Sequence, residues 1–138
     1  MTTIDNSKAI LDGVFSDATV TVPANTTYAA YTVLGLNSSG KLVAYSTDLD
    51  NDYTPASGDD PAVEAFKAEP SYILAHSIEN STNAAVDYPL ARVLECGDVD
   101  IAKAVFVKAA DASNPAVLSA LKNNGIRLVH VDYATAQA

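Results

Sequence analysis

Short runs of alternating polar and apolar residues recur along the chain and predict β-strands. Thr19, Val20, Thr21 and Val22 alternate in this way, as is typical of an extended strand with one buried face. Residues 23–25, with the sequence Pro-Ala-Asn, then interrupt the strand. A short strand near a chain end needs a sheet edge to satisfy its backbone, and that edge belongs either to its own domain or to a partner.

A β-hairpin is the clearest local prediction. Residues 31–34 and 41–45 are two runs rich in apolar residues, and the segment 35–40 between them carries Gly, Asn and Ser. Asn and Ser favour a type I turn, and Gly40 can adopt the positive φ that closes such loops.

Further strands are predicted in the second half of the chain. They cover residues 71–78, 85–96 and 105–107. Pro89 lacks an N–H group, so it must lie at a sheet edge or at a β-bulge. Gly97 and Asp98 are expected to end the second run, and residues 99–104 fit either a helical turn or a strand.

One helix is marked at both of its ends. Asn114 is a natural N-cap, and Pro115 suits the first helical position because its missing N–H costs nothing there. Lys122 complements the helix dipole at the other end, where Gly125 supplies a left-handed terminator. The apolar face contains Val117, Leu118 and Leu121. A closing strand is predicted over 126–131, so the fold class is mainly β with one late α-helix, an α+β domain.

Composition and charge restrict the classes of function. The 138 residues suit one domain, and 17 acidic against 8 basic side chains give a formal charge of −9. Such a chain is not expected to bind nucleic acid, whose phosphates require a basic surface. We also expect no signal peptide and no membrane span, because no long apolar run occurs. Cys96 is the only cysteine, so no disulfide can form within the chain.

Acidic side chains are concentrated in one stretch of the sequence. Residues 48–69 carry seven acidic residues against Lys67 alone, a local charge of −6. Because three prolines and a glycine accompany this charge, we predict a solvated acidic loop over 48–70, within which 61–66 has the pattern of a short helix.

The start of the acidic loop imitates a calcium-binding loop. Residues 48–52 have the sequence Asp-Leu-Asp-Asn-Asp, but Tyr53 and Asp59 occupy the positions where an EF-hand requires Gly and Glu. An EF-hand is therefore excluded. Weak calcium binding by an oxygen-rich loop stays open as an alternative to a plain solvated loop.

The residue inventory disfavours catalysis. Only His76, Cys96 and His130 could serve as soft ligands, and a structural zinc site needs four. No nucleophile elbow and no phosphate-binding loop occurs. We expect the two histidines to be partly buried in strands and Cys96 to be a buried apolar side chain. The chain is accordingly predicted not to be an enzyme, with no metal, no cofactor and no small-molecule substrate.

Four segments together resemble the head decoration proteins of lambda-type tailed phages, which stabilise capsids. Residues 39–45 resemble the family's hairpin, residues 73–75 its Ile-Leu-Ala strand, and 91–99 a strand that leads into a short turn. Residues 121–128 are similar to the late helix and final strand of longer members. The chain departs from the family at Tyr72, where Gly is frequent, and its acidic loop is longer.

The resemblance implies a small β-barrel or β-tulip-like domain that forms a homotrimer on the outer surface of the expanded phage capsid. It divides the chain into an N-terminal arm, 1–22, and a decoration domain, 23–138. The implied partner is the major capsid protein, to which the arm adds a strand. The protein would be made in the host cytoplasm. The predicted capsid-binding residues are Thr19, Val20, Thr21 and Val22.

Two other functions remain open on the sequence. One is a different phage structural or adhesion module, such as a fibre, tail or surface domain, because motif resemblance links fold to function only by association. The other is a small enzyme or calcium-binding module that uses Asp48, Asp50 and Asp52.

Overall fold

A computed structural model describes residues 10–37, 39–47 and 69–130 of the chain. The strands are β1 (Ile10–Val22), β2 (Thr26–Tyr28), β3 (Val33–Leu36), β4 (Leu42–Ala44), β5 (Pro70–Leu74), β6 (Ile78–Asn80), β7 (Val86–Asp100) and β8 (Ile126–Val129). A short 3-10 helix, Ala109–Ser113, precedes α1, Pro115–Asn123. The prediction of a mainly β fold with one late α-helix is confirmed.

Five strands close into a β-barrel. Their order is β1-β4-β3-β5-β7, and pairing between β7 and β1 completes the circle. The parallel contact between β1 and β4 consists of one register pair, Val20 with Leu42, so the barrel is narrowly joined on that side. β8 extends the sheet by pairing in parallel with the end of β7, whereas β2 and β6 form a separate two-stranded ribbon.

The antiparallel ribbon of β1 and β7 is the longest pairing in the fold. It extends from Ile10 opposite Val99 to Val22 opposite Val86. One of its register shifts lies between Ala18 and Val20, where a single β1 residue faces two β7 residues, Pro89 and Leu90. The predicted placement of Pro89 at a bulge or edge is therefore confirmed.

Two groups of buried side chains form the core. The first contains Val20, Val22, Tyr28, Leu34, Leu42, Leu74, Ile78, Ala91 and Val93. The second contains Val33, Tyr45, Ile73, Leu94, Val99, Val117, Leu121 and Ile126. Neighbouring residues of β5 and β7 fall into different groups because side chains alternate along a strand. These two strands are therefore buried on both faces. The helix α1 covers the face that carries the second group.

The hairpin forms, although its first strand covers 33–36 instead of the predicted 31–34, and the helix has the predicted caps. Asn37 accepts hydrogen bonds at Oδ1 from the N–H groups of Ser39 and Lys41, each at 3.0 Å, and Gly40 has a φ of 76°. At the helix start, Asn114 Oδ1 accepts from the N–H of Ala116 at 3.0 Å. Gly125, with a φ of 93°, lies where the left-handed terminator was expected.

Several strand boundaries differ from the predictions. The predicted strand over 71–78 is interrupted at residues 75–77, since β5 pairs inside the barrel while β6 leaves it to pair with β2. β7 continues past Gly97 to Asp100 because β8 pairs with these last residues. Val105 forms only an isolated bridge with Thr32, so no strand covers 105–107.

Three predicted features lie outside the described residues. They are the first nine residues of the predicted arm, residue 131 of the predicted closing strand and most of the acidic loop, 48–68. The predicted helix over 61–66 and the question of calcium binding belong to that last segment and stay open.

Asn80 is a buried polar residue that joins three chain segments. Its side chain is 2% exposed, and Nδ2 donates to the carbonyl oxygens of Val22, Pro23 and Ala84 at 2.9 to 3.0 Å. Oδ1 accepts from both the N–H and the hydroxyl of Thr82. This side chain therefore fixes the end of β1 to the turn between β6 and β7.

Replacing Asn80 by Ala should lower the free energy of unfolding by about 3 kcal/mol, because several buried carbonyl and N–H groups would lose their partner. Asn80→Asp should be comparably harmful, since a carboxylate would face three carbonyl oxygens. Urea unfolding measures both changes. Ser81→Ala, at the exposed neighbouring position, is the matched control and should change stability by less than about 0.5 kcal/mol. A loss below about 1 kcal/mol for both Asn80 variants would contradict this role.

Candidate functional site

The predicted capsid-binding segment of residues 19–22 lies inside the barrel. Val20 and Val22 are 0% exposed, and Val20 is paired on both sides, with Leu42 of β4 and Tyr88 of β7. Only Thr19 is exposed. The backbone of this segment has no free edge at Val20, because its own domain already provides both neighbours. Capsid binding through these four residues stays a prediction, and pairing of a capsid strand with Val20 would require β1 to leave the barrel.

The expected arm, residues 1–22, overlaps the first strand of the barrel, and its boundary with the domain at residue 22 stays a prediction. Residues 10–22 form β1, which pairs with β7 along its whole length. The alternating pattern at 19–22 predicted a strand correctly, but it did not indicate that the strand begins at Ile10.

The two histidines and the cysteine are widely separated in the sequence and have different surroundings. His76 is exposed at the corner between β5 and β6, outside any strand, because the chain leaves the barrel there. His130 is exposed just after β8, and Cys96 is half-buried within β7. The expected strand positions of both histidines and the full burial of Cys96 are therefore wrong. Within the described ranges, no three His, Cys, Asp or Glu side chains are grouped as metal ligands.

An apolar groove lies between β6 and the first half of β7. It has a volume of about 440 Å³, and Leu90 beside it is 78% exposed. We call this feature the Leu90 groove. Its two walls are formed by His76, Ser77, Ile78 and Glu79 on one side and by Tyr88, Pro89, Leu90 and Ala91 on the other.

The Leu90 groove follows from the local sequence. Pro89 cannot donate a ladder hydrogen bond, so the bulge leaves both Pro89 and Leu90 exposed on the rim. Two hydrogen bonds tie the walls together. His76 Nε2 accepts from the N–H of Arg92 at 3.1 Å, and the Tyr88 hydroxyl donates to the carbonyl of Glu79 at 3.2 Å. The groove is thus held open by the fold itself.

The His76 ring contacts two backbone groups. Nε2 lies 3.1 Å from the backbone nitrogen of Arg92, and Nδ1 lies 3.1 Å from the carbonyl oxygen of Ser77. Both contacts hold the corner between β5 and β6 in place.

A second groove lies between β1 and the β3–β4 hairpin, where the barrel is narrowly joined. Its volume is about 410 Å³, and an ion pair crosses it, with Lys41 Nζ 3.2 Å from Asp87 Oδ2. The Thr21 hydroxyl donates to Asp87 Oδ1 at 2.6 Å. These partners lower the pKa of Asp87, the Thr21 hydrogen bond first and that of Lys41 next. The rim of this groove is polar, and the side chains of Thr21, Lys41 and Asp87 already contact one another across it.

Asp98 and Arg127 fix the parallel register of β7 and β8. Arg127 donates from Nε to Asp98 Oδ1 at 3.1 Å and from Nη2 to Oδ2 at 2.9 Å. This paired hydrogen bonding lowers the pKa of Asp98 and raises that of Arg127. Because the guanidinium matches both carboxylate oxygens, a slip of one residue would break the pair.

Both ends of the acidic loop are anchored to one part of the fold. Asp111 is 3% exposed and accepts from the N–H and the hydroxyl of Thr47, each at 3.2 Å. Asn124 Nδ2 donates to the carbonyl of Pro70 at 3.1 Å. The segment formed by the 3-10 helix and α1 therefore holds the chain on either side of residues 48–68.

Sequence reasoning found one residue of the Leu90 groove but not the groove itself. Pro89 was expected at a bulge, yet the exposure of Leu90 depends on the direction in which that bulge displaces the chain. Glu79 and Tyr88 join the site because β6 leaves the barrel, which no local pattern indicates.

The free energy of unfolding should fall in acid as Asp87 and Asp98 take up protons. A lowered pKa in the folded state gives a contribution that is complete above the unfolded value, about 3.9, and is lost as pH falls through the folded pKa. Asp87→Asn should therefore show a shallower decline than the unmodified chain between about pH 5 and pH 2. Glu95→Gln, at an exposed acid that forms no ion pair with a described residue, is the control. Equal pH profiles for D87N and the unmodified chain would contradict this assignment.

Two comparisons with known proteins give no match. Neither a scan against models of protein families nor a search of curated proteins finds a match for this chain. In the part of the chain that the structure covers, no helix has the length and apolar character needed to span a membrane. The function must therefore be inferred from the chain's own residues and geometry.

Proposed function

We propose that this protein is a decoration protein of a lambda-type phage head, which binds the exterior of the expanded capsid as a homotrimer and stabilises it. The supporting observation is the position of the four family-like segments in the fold. Residues 39–45 form the end of the hairpin turn and β4, and 73–75 form the end of β5. Residues 91–99 form the centre of β7, and 121–128 connect α1 to β8.

These segments supply side chains to the core of the domain and are not confined to its surface. Leu42, Leu74 and Val93 belong to one buried group, and Leu121 and Ile126 belong to the other. A resemblance that is carried by core positions in the same order favours a shared fold. The step from fold to function is still an association, so it requires a direct test.

The placement of Ile10 and Leu128 supports a docking function. Val99 near the end of β7 has Ile10 of β1 on one side and Leu128 of β8 on the other. The first and last described strands therefore meet at one end of the barrel, where added peptide can reach a partner without opening the core.

Charge supports an external position on a capsid. Three copies of a chain with a formal charge of −9 would carry −27. Such a surface repels packaged nucleic acid and limits further association between trimers. Binding to the assembled shell, and not to free capsid subunits, would stabilise the shell by mass action.

The proposal is tested by the binding of purified protein to expanded, undecorated phage heads, measured by cosedimentation. The unmodified chain should bind at saturable sites and should raise the temperature at which the heads release their contents. Removal of residues 1–9 should abolish binding and leave the barrel folded, because β1 begins at Ile10.

Removal of residues 131–138 is the matched control, since Leu128 of β8 lies beside Val99, as Ile10 does. It should reduce binding much less than removal of 1–9. Absence of binding by the intact chain to heads of a panel of lambda-type phages, with no change in their thermal stability, would contradict the proposed function.

A further inference from the structure

The side of β1 that faces away from β7 is unpaired over most of its length. β7 pairs with β1 on one side from Ile10 to Val22. On the other side, the only strand pairing among the described residues is that of Val20 with Leu42 of β4. The strand therefore has an open side along residues 10–19, which we call the β1 edge.

Hydrogen bonds on the far side of β7 show which backbone groups of β1 point to this edge. In an antiparallel pair, two opposite residues either exchange both hydrogen bonds or direct their N–H and C=O groups away from each other. Arg92 directs both groups away from β1, because its N–H donates to His76 Nε2 and its carbonyl accepts from the N–H of Ala75. Asp17 lies opposite Arg92, so its own N–H and C=O point to the β1 edge.

Gly13 and Phe15 present their backbone groups in the same direction. Gly13 lies opposite Gly97, whose N–H donates to the carbonyl of Gly125 at 2.9 Å and is therefore turned away from β1. Phe15 lies midway between Gly13 and Asp17, and alternate residues of a strand direct their N–H and C=O groups to the same side. These three residues thus offer a row of alternating donors and acceptors along the β1 edge.

The β1 edge is accessible to a partner. Gly13 and Asp17 are exposed, and Val14 between them is 57% exposed. Within the described ranges, no residue forms a hydrogen bond with the backbone of Gly13, Phe15 or Asp17 on this side. A row of open N–H and C=O groups of this kind is a template for a further strand.

We infer that the β1 edge is a binding site for an extended segment of another protein, which would add a strand to the barrel beside Gly13, Phe15 and Asp17. This site goes beyond the proposed function, because it requires no capsid and belongs to the barrel itself. The segment 1–9, on which the proposed docking to capsids depends, is not part of it.

The partner segment should be extended and basic. Only an extended backbone places its own donors and acceptors at the spacing of alternate strand residues, so a helix does not fit this edge. Asp17 is the only charged residue of the β1 edge whose side chain is described, and the whole chain carries a formal charge of −9. A segment with Lys or Arg is therefore attracted, whereas an acidic segment or a second copy of this chain is repelled.

Titration of the isotope-labelled full chain with synthetic peptides, followed by nuclear magnetic resonance, tests the inference. The probe is a peptide of about nine residues that alternates Lys with Val, a usual length for a strand. It should shift the amide signals of Gly13, Phe15 and Asp17 more than those of Val14 and Ser16, and it should saturate by about 1 mM. A peptide with Glu in place of Lys should bind at least about tenfold more weakly.

Two controls test whether the contact is made by the backbone. The Lys peptide with methyl groups on all its backbone nitrogens keeps its charge but cannot donate, so it should bind at least about tenfold more weakly. Asp17→Pro removes an N–H from the β1 edge and should leave the barrel folded, with weaker binding of the unmethylated peptide. Ser16→Pro, which removes an N–H that faces β7, is the matched comparison and should lower stability to urea.

The outcomes separate this site from the proposed function. Absence of binding by the Lys peptide at about 1 mM, or equal binding of its methylated or Glu counterpart, would overturn the inference whether or not the protein binds capsids. Protection of the same three amides that rises with protein concentration alone would assign the edge to a second copy and would also overturn it. Binding of the Lys peptide that is lost in every control would support the inference, even for a chain that never binds expanded heads.

Discussion

The pairing of β1 with β7 is the constraint on which the rest of the structure depends. It closes the barrel, and it places Val20 and Val22 in the core between other buried side chains. The same ribbon contains the bulge at Pro89, because one residue of β1 faces two residues of β7 there. A single long antiparallel pairing thus contributes both to the closure of the barrel and to the shape of the Leu90 groove.

This constraint changes how the domain can act on a partner. Because β1 already has a neighbouring strand on each side at Val20, it cannot pair with a partner protein there without exposing the core. In the proposed function, a strand added to the partner would therefore come from residues outside the barrel. Ile10 of β1 and Leu128 of β8 flank Val99 of β7, at the end of the ribbon away from the bulge at Pro89.

The sequence correctly predicted those structural features that depend on one residue and its immediate neighbours. The cap at Asn114, the positive φ of Gly40 and the bulge at Pro89 follow from single-residue stereochemistry. It did not predict the features that depend on pairing between strands far apart in the sequence. β7 passes through Gly97 because β1 and β8 pair with it there on its two sides, and the corner at His76 lies where the chain leaves β5 and β6 pairs with β2. The Leu90 groove combines two such non-local effects, which explains why its residues could not be assigned from pattern alone.

Hydrogen exchange of the β1 amides, measured for the free protein and for protein bound to expanded heads, tests the central claim most directly. The account predicts that the β1 amides that pair with β7 are protected in both states, with binding adding protection only elsewhere, because β1 belongs to the barrel before docking. Rapid exchange of these amides in the free protein, followed by protection only on the capsid, would contradict it and would identify β1 as the docking strand.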